Sequence, residues 1–472
     1  MTAWIAIAVG SVSAATRVES PSGTRSSRSA YVRTSVPGYR RGVDDYSGVF
    51  NPDFDLSALS RRALSVLGRE WLLHGHLQDR VGMPLVHAGR PREVMEDVAI
   101  VEWMGASPVY SIRSQHAFNF ADGNVPTIMK NLQLDIGAPH QFMDFRCTVF
   151  DENHGEFFLA HCGALMDVEP MGEAYVEGMC HAIEDPTFDA TAGATNPRAQ
   201  VRPIHRPPRV PTDLVPHCRW TVDIDPSFPP VSPHPNRALV EASLIAGISV
   251  HTPDVDPDDG GWNDYNRDFD PDFGLEDFSH RALVVALQEF AVQSHLLFRA
   301  FLLTVAQRFG EEEAARINPM VFTGLAGLTA QRLRTAMSIE GDGADAIGKV
   351  MQVHPVFYPR TYVDVAVEVL DDERVRFAIL DSPVFAETDD YHWFTQLGGA
   401  SDRALDAIVQ AVNPRASVTA TTARDGERFA YEAVIDPNAT PAPEAQEIGL
   451  AKISTGARVE FSPRRPVRVA RT

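Results

Sequence analysis

Cysteine is scarce in this chain, with four in 472 residues. So few exclude the disulfide framework of a small secreted scaffold and fit a reducing, cytoplasmic compartment, where thiols stay free for metal or catalysis. Basic residues are also in short supply: 42 Lys and Arg stand against 63 Asp and Glu, a formal charge of −21. A polyanion is repelled by that balance, which excludes a general nucleic-acid binder. No apolar run is long enough to cross a bilayer, so no membrane partner is expected. There is no Gly-x-Ser-x-Gly elbow, and no glycine pattern has the strand–loop–helix setting of a phosphate site. "DVDPDDGGWNDY" places its glycine and its twelfth residue wrongly for a calcium loop and reads as an acidic linker.

What is present is enough apolar material for folded cores: 44% hydrophobic residues and 25 Phe, over a length suited to about two to three domains. "MTAWIAIAVGSVSAAT" has a short apolar run and a small-residue end like a signal-peptidase site, but no Lys or Arg precedes it. That start leaves export open beside the cytoplasmic expectation. The Ser- and Arg-rich stretch after it reads as a disordered leader over 1–44.

The chain also repeats itself. "DYSGVFNPDFDLSALSRRALSVLGREWLLHGHLQDR" from Asp45 matches "DYNRDFDPDFGLEDFSHRALVVALQEFAVQSHLLFR" from Asp264 without a gap, each pair 219 positions apart. "DFRCTVFDENHGEFFLAHC" then matches "DVAVEVLDDERVRFAILDS", "NPRAQV" matches "NPRASV", and "CRWTVDIDP" matches "AYEAVIDP". We therefore expect two tandem homologous domains, 45–230 and 263–440, joined by an acidic, Pro- and Gly-rich linker at 231–262 and followed by a mobile tail at 441–472. In each, four-residue steps such as Leu59, Ala63, Leu67 and Trp71 indicate a long helix, and alternating segments around Asp/Glu turns indicate antiparallel hairpins. The expected class is α+β, each domain packing helices on an antiparallel sheet. Two such domains in one chain would form an internal pseudo-dimer, sufficient for a monomer.

Arg62, His76 and Arg80 lie within roughly 40° of one another around the first long helix, and all three recur in the second repeat. They are candidates to hold a substrate carboxylate, against the alternative of a solvated stripe or an interdomain seam.

All four cysteines lie in the first repeat, where the second has Val367, Ser382, Phe429 and "LGGAS". Cys147 sits at alternating spacing in an apolar strand and reads as a core thiol. Cys162 ends a strand, Cys180 lies in the helix after it, and Cys218 begins the last strand. Three soft thiolates with one carboxylate suit Zn²⁺. Glu177, three residues before Cys180, would share its helical face, which makes it the candidate fourth ligand or base; His181, adjacent to Cys180, is turned away by about 100°.

This order (strand-closing Cys, Glu-x-x-Cys, then Cys opening a last strand) resembles the 4-vinyl-reductase-type domain. It resembles the L-2-amino-thiazoline-4-carboxylic acid hydrolase family more closely, on "HCGAL", "EGMCHAIED" and "RPIHRPPRVPTDLVPHCRW". The Cys180–Cys218 gap is longer than in those families, and Arg219–Trp220 replaces an acidic–aromatic pair. The resemblance implies zinc held by Cys162, Glu177, Cys180 and Cys218, and hydrolysis of a small cyclic amidine or thiazoline-type acid with Glu177 and Cys180 catalytic. Two other readings stay open: a small-molecule binding module in which zinc braces an apolar pocket roofed by Trp220, Phe157 and Phe158, and a metal-free structural protein.

Overall fold

Ser60 opens the first long helix: its side chain accepts the Ala63 N–H, and α1 (Arg61–Leu77) follows. Leu59, Ala63, Leu67 and Trp71, the expected apolar ridge, are at most 1% exposed. The computed structural model describes residues 42–254, 260–398 and 402–462. The expected leader up to residue 41, the central acids of the linker and the basic end of the chain lie outside the described residues.

After α1 come α2 (Asp79–His87), α3 (Arg92–Ala117) and α4 (Val125–Leu132). The hairpin of β1 (Met143–Val149) and β2 (His154–Cys162) leads into α5 (Gly163–Val168) and α6 (Glu173–Glu177). A π-helical turn, Gly178–Ile183, connects α6 to α7 (Glu184–Thr195). Then follow β3 (Ala199–His205), β4 (Cys218–Ile224), α8 (Pro235–Glu241) and α9 (Leu244–Gly247).

The second half runs α10 (His280–Phe309), α11 (Glu311–Ala336), α12 (Ala344–Val353), β5 (Val365–Val369), β6 (Arg374–Leu380), α13 (Arg403–Gln410), β7 (Ala416–Thr421), β8 (Glu427–Ile435) and α14 (Gln446–Ala451). A short 3-10 turn, Thr455–Arg458, follows. Ser279 caps α10 as Ser60 caps α1. From Ala286 to Ala306 every residue of α10 is buried, as expected of a helix packed on all sides.

The class is α+β with two four-stranded antiparallel sheets, ordered β1-β2-β4-β3 and β5-β6-β8-β7. Leu159 pairs with Cys218 in the first and Ile379 with Phe429 in the second. The stretches expected as linker and tail carry α8 and α9 in the one, and α14 and the 3-10 turn in the other. No helix among the described residues is long and apolar enough to cross a membrane.

Contacts between the halves come in reciprocal sets. Tyr46 Oη donates to Gln352 Oε1 (2.5 Å), and Tyr265 Oη donates to Gln133 Oε1 (2.7 Å). Arg332 pairs with Glu70 (2.7 Å), and Arg113 pairs with Glu289 (2.8 Å). In every case the partners exchange places on adding 219 to the number. Asp167 accepts from Ser454 Oγ and Thr455 N, while Glu387 accepts from Leu244 N and Ile245 N. Thus the arm that ends each half is held by a carboxylate of the other.

Candidate functional site

Three short elements bring the thiols together. Cys162 closes β2, and its Sγ accepts the Leu165 N–H (3.3 Å) at the start of α5. Cys218 opens β4, and the β2–β4 register places it beside Leu159. Cys180 sits in the π-helical turn, near enough to Cys162 and Cys218 that both act on its thiol. Cys162, Cys180 and Cys218 are 3%, 2% and 4% exposed, and all are free thiols.

The carboxylate that joins them is Glu184, whereas Glu177 is exposed. The expectation for Glu177 assumed a regular α-helix. A π-helical turn takes in one more residue, so the three-residue offset no longer returns to the Cys180 face, and the four-residue offset of Glu184 does. Glu184 raises the pKa of all three thiols. Burial is the larger cause for each, pushing Cys162 up to about 12, Cys180 further, and Cys218 well above the usual thiol value. Burial likewise lifts Glu184 to about 8, against the pull of Arg206. Glu184 Oε2 is buried without a hydrogen-bond partner.

A strap from Arg206 to His217 covers the group. Arg206 forms an ion pair with Asp185, reaches the Cys180 carbonyl (3.4 Å), and lies 5.7 Å from the Trp220 ring centre. His181 donates from Nε2 to the Pro207 carbonyl (2.7 Å) and so braces the strap, turned away from the Cys180 thiol. His217 Nδ1 accepts the Cys162 N–H (3.2 Å), and burial holds its ring down at about 4, hence neutral. Glu184, Arg206 and His217 were missed by sequence reasoning. Of these only Glu184 carried a signal, its ordinary i+4 spacing from Cys180.

No protein-family model, curated protein or solved structure matches this chain. What the site can do therefore rests on its own geometry. Among the described residues no three His, Cys, Asp or Glu side chains are arranged to hold a metal ion as they stand. The donor chemistry nonetheless suits zinc: three thiols, a carboxylate, and an unpaired buried oxygen.

The other candidates divide. His76 and Arg80 meet, Arg80 Nη2 lying 3.2 Å from His76 Nε2. Arg80 is taken by Asp167 (2.9 Å). Arg62 shares their angular sector but lies roughly 20 Å away along the axis, at 1.5 Å per residue, and its side chain is not buried with theirs. The three do not form one clamp. Phe157 and Trp220 are buried against each other and Phe188, while Phe158 points to the opposite face of the strand. In the second half Ser382 stands for Cys162, its Oγ accepting the Asp364 N–H, and Phe429 stands for Cys218, packed on Phe385.

Proposed function

We propose that the protein is a tandem pseudo-dimer whose first half is a zinc-braced, small-molecule-handling domain and whose second half is its structural mate. The pseudo-dimer is supported by the reciprocal contacts: an isologous interface pairs residue i with j and j with i, as Glu70–Arg332 and Arg113–Glu289 do. The observation that carries the zinc reading is the gathering of Cys162, Cys180, Cys218 and Glu184 in one half alone. Four ligands make a closed set, which braces β2, β4 and the π-helical turn.

A second reading, hydrolysis of a small cyclic amidine or thiazoline-type acid, is favoured by the unpaired Glu184 Oε2. Zinc supplies Lewis acidity when bound. Glu184, off the metal, would take the proton of an attacking water.

Metal analysis of freshly reduced protein beside a Cys180→Ser variant tests both. The expected result is about one zinc per chain, lost in the variant. Less than about a tenth of an equivalent sinks both readings. Zinc whose removal unfolds the domain favours the brace. Activity on thiazoline-type acids that Cys180→Ser abolishes without unfolding favours the hydrolase.

A further inference from the structure

Away from the thiols, the interior of the first half is polar where the second is hydrocarbon. Gln78, Asp79, Glu102 and Trp103 occupy positions that, 219 residues on, are Leu297, Phe298, Val321 and Phe322. Those four are at most 2% exposed, and Phe298 stacks on Trp393. Asp79 and Glu102 are 9% and 0% exposed. Trp103 Nε1 donates to Asp79 Oδ2 (2.9 Å), and Gln78 Nε2 donates to Glu102 Oε1 (3.1 Å). That uses one oxygen of each carboxyl. Asp79 Oδ1 and Glu102 Oε2 are buried without an N–H donor, and the two side chains meet carboxyl to carboxyl.

Two ionised carboxylates cannot face each other in so dry a place, whereas one proton between them satisfies both free oxygens. We propose that Asp79 and Glu102 share a single proton at neutral pH, and that its withdrawal is an alkaline switch that loosens the packing of α2 on α3. Three other titratable groups belong to the same polar interior. Arg80, from α2, is shared with Asp167 and pulls Asp79 down, but burial is the larger effect on that carboxyl. Tyr110, on α3, donates to Asp135 (2.9 Å), and its hydroxyl, raised first by burial, is raised further by Asp135, Asp79 and Glu102. Burial raises both dyad carboxyls; Asp79 raises Glu102 further, while the hydrogen bond with Glu102 lowers Asp79. A raised carboxyl stabilises the fold while protonated, and that contribution is lost as pH rises through its folded value. The pair acts as a unit, so one proton leaves for the two residues.

The test uses the full chain with Glu184→Gln, which removes the carboxyl lifted to about 8. Infrared spectra at about pH 8, where Asp135 is ionised, are expected to show one protonated-carboxyl C=O band. That band should vanish on adding Glu102→Gln, and the alkaline fall in Tm should flatten with it. Asp79→Asn leaves Glu102 protonated by burial alone, so it should move the band rather than remove it, and it serves should Glu102→Gln not fold. A spectrum without the band overturns the proposal, as does a band that survives Glu102→Gln, a band left unmoved by Asp79→Asn, or an unchanged alkaline limb.

Discussion

Glu177 and Glu184 differ in what the backbone between them does. The rarity of cysteine made Cys162, Cys180 and Cys218 legible in the sequence, because a buried thiol needs a soft partner or an apolar wall and little else. The carboxylate was not legible, because the offset rule assumes 3.6 residues per turn and Gly178–Ile183 is π-helical. Exchanging the two glutamates for glutamine separates the cases. Glu177→Gln, on an exposed side chain, should change stability by no more than about 0.5 kcal/mol. Glu184→Gln should abolish zinc uptake. In metal-free protein it should also raise stability at alkaline pH. Glu184, lifted to about 8 from 4.5, stabilises the fold only while protonated and loses that contribution as pH rises through about 8. Urea unfolding of both variants from about pH 6 to about pH 9 reads the difference.

At the level of elements, periodicity announced the long helices and the hairpins, because each buries its own stripe or face. It could not announce the arms. α9 has four residues, too few for a period, and its N–H groups are met by Glu387 from the far half. The equivalent turn at Thr455 is met by Asp167. Behind each arm an arginine bridges a carboxylate and arm carbonyls: Arg113 reaches Ala246 and Ile248, and Arg332 reaches Gly456, Ala457 and Val459. Glu70 and Arg332 are 8% and 12% exposed in their side chains, so removing one strands the other in the core. Arg332→Met is expected to cost about 3 kcal/mol, and the Glu70→Gln/Arg332→Met cycle to show a coupling of about 1–3 kcal/mol. Coupling below about 0.5 kcal/mol would show that the arms are held by their backbone bonds alone.

Across the whole molecule, the 219-residue repeat was plain in the sequence, but where the copies depart from one another decides how the interior titrates. His74 from the first half approaches His354 from the second, ring centres 5.8 Å apart, and shares a hydrogen bond with Thr329. His295 and His354 donate to the carbonyls of Tyr358 and Ala326. Burial holds all three imidazoles down, His295 to about 3 and His354 to about 4, and His74 is lowered further by its two neighbours. These groups stay neutral in the fold but take up protons near 6.5 once unfolded. Their contribution is therefore present above about pH 6.5 and is lost as pH falls below it toward about 4. Tm should decline from about pH 7 to about pH 5, in the direction opposite to the alkaline loss at Glu184. The repeat itself supplies the test: the counterpart of His74 is Gln293, a neutral residue at the same depth. His74→Gln keeps a donor near Thr329 and removes one proton-binding site from the unfolded chain, so its acid limb should be shallower than that of the wild type. An identical limb would place the acid sensitivity outside the seam between the halves.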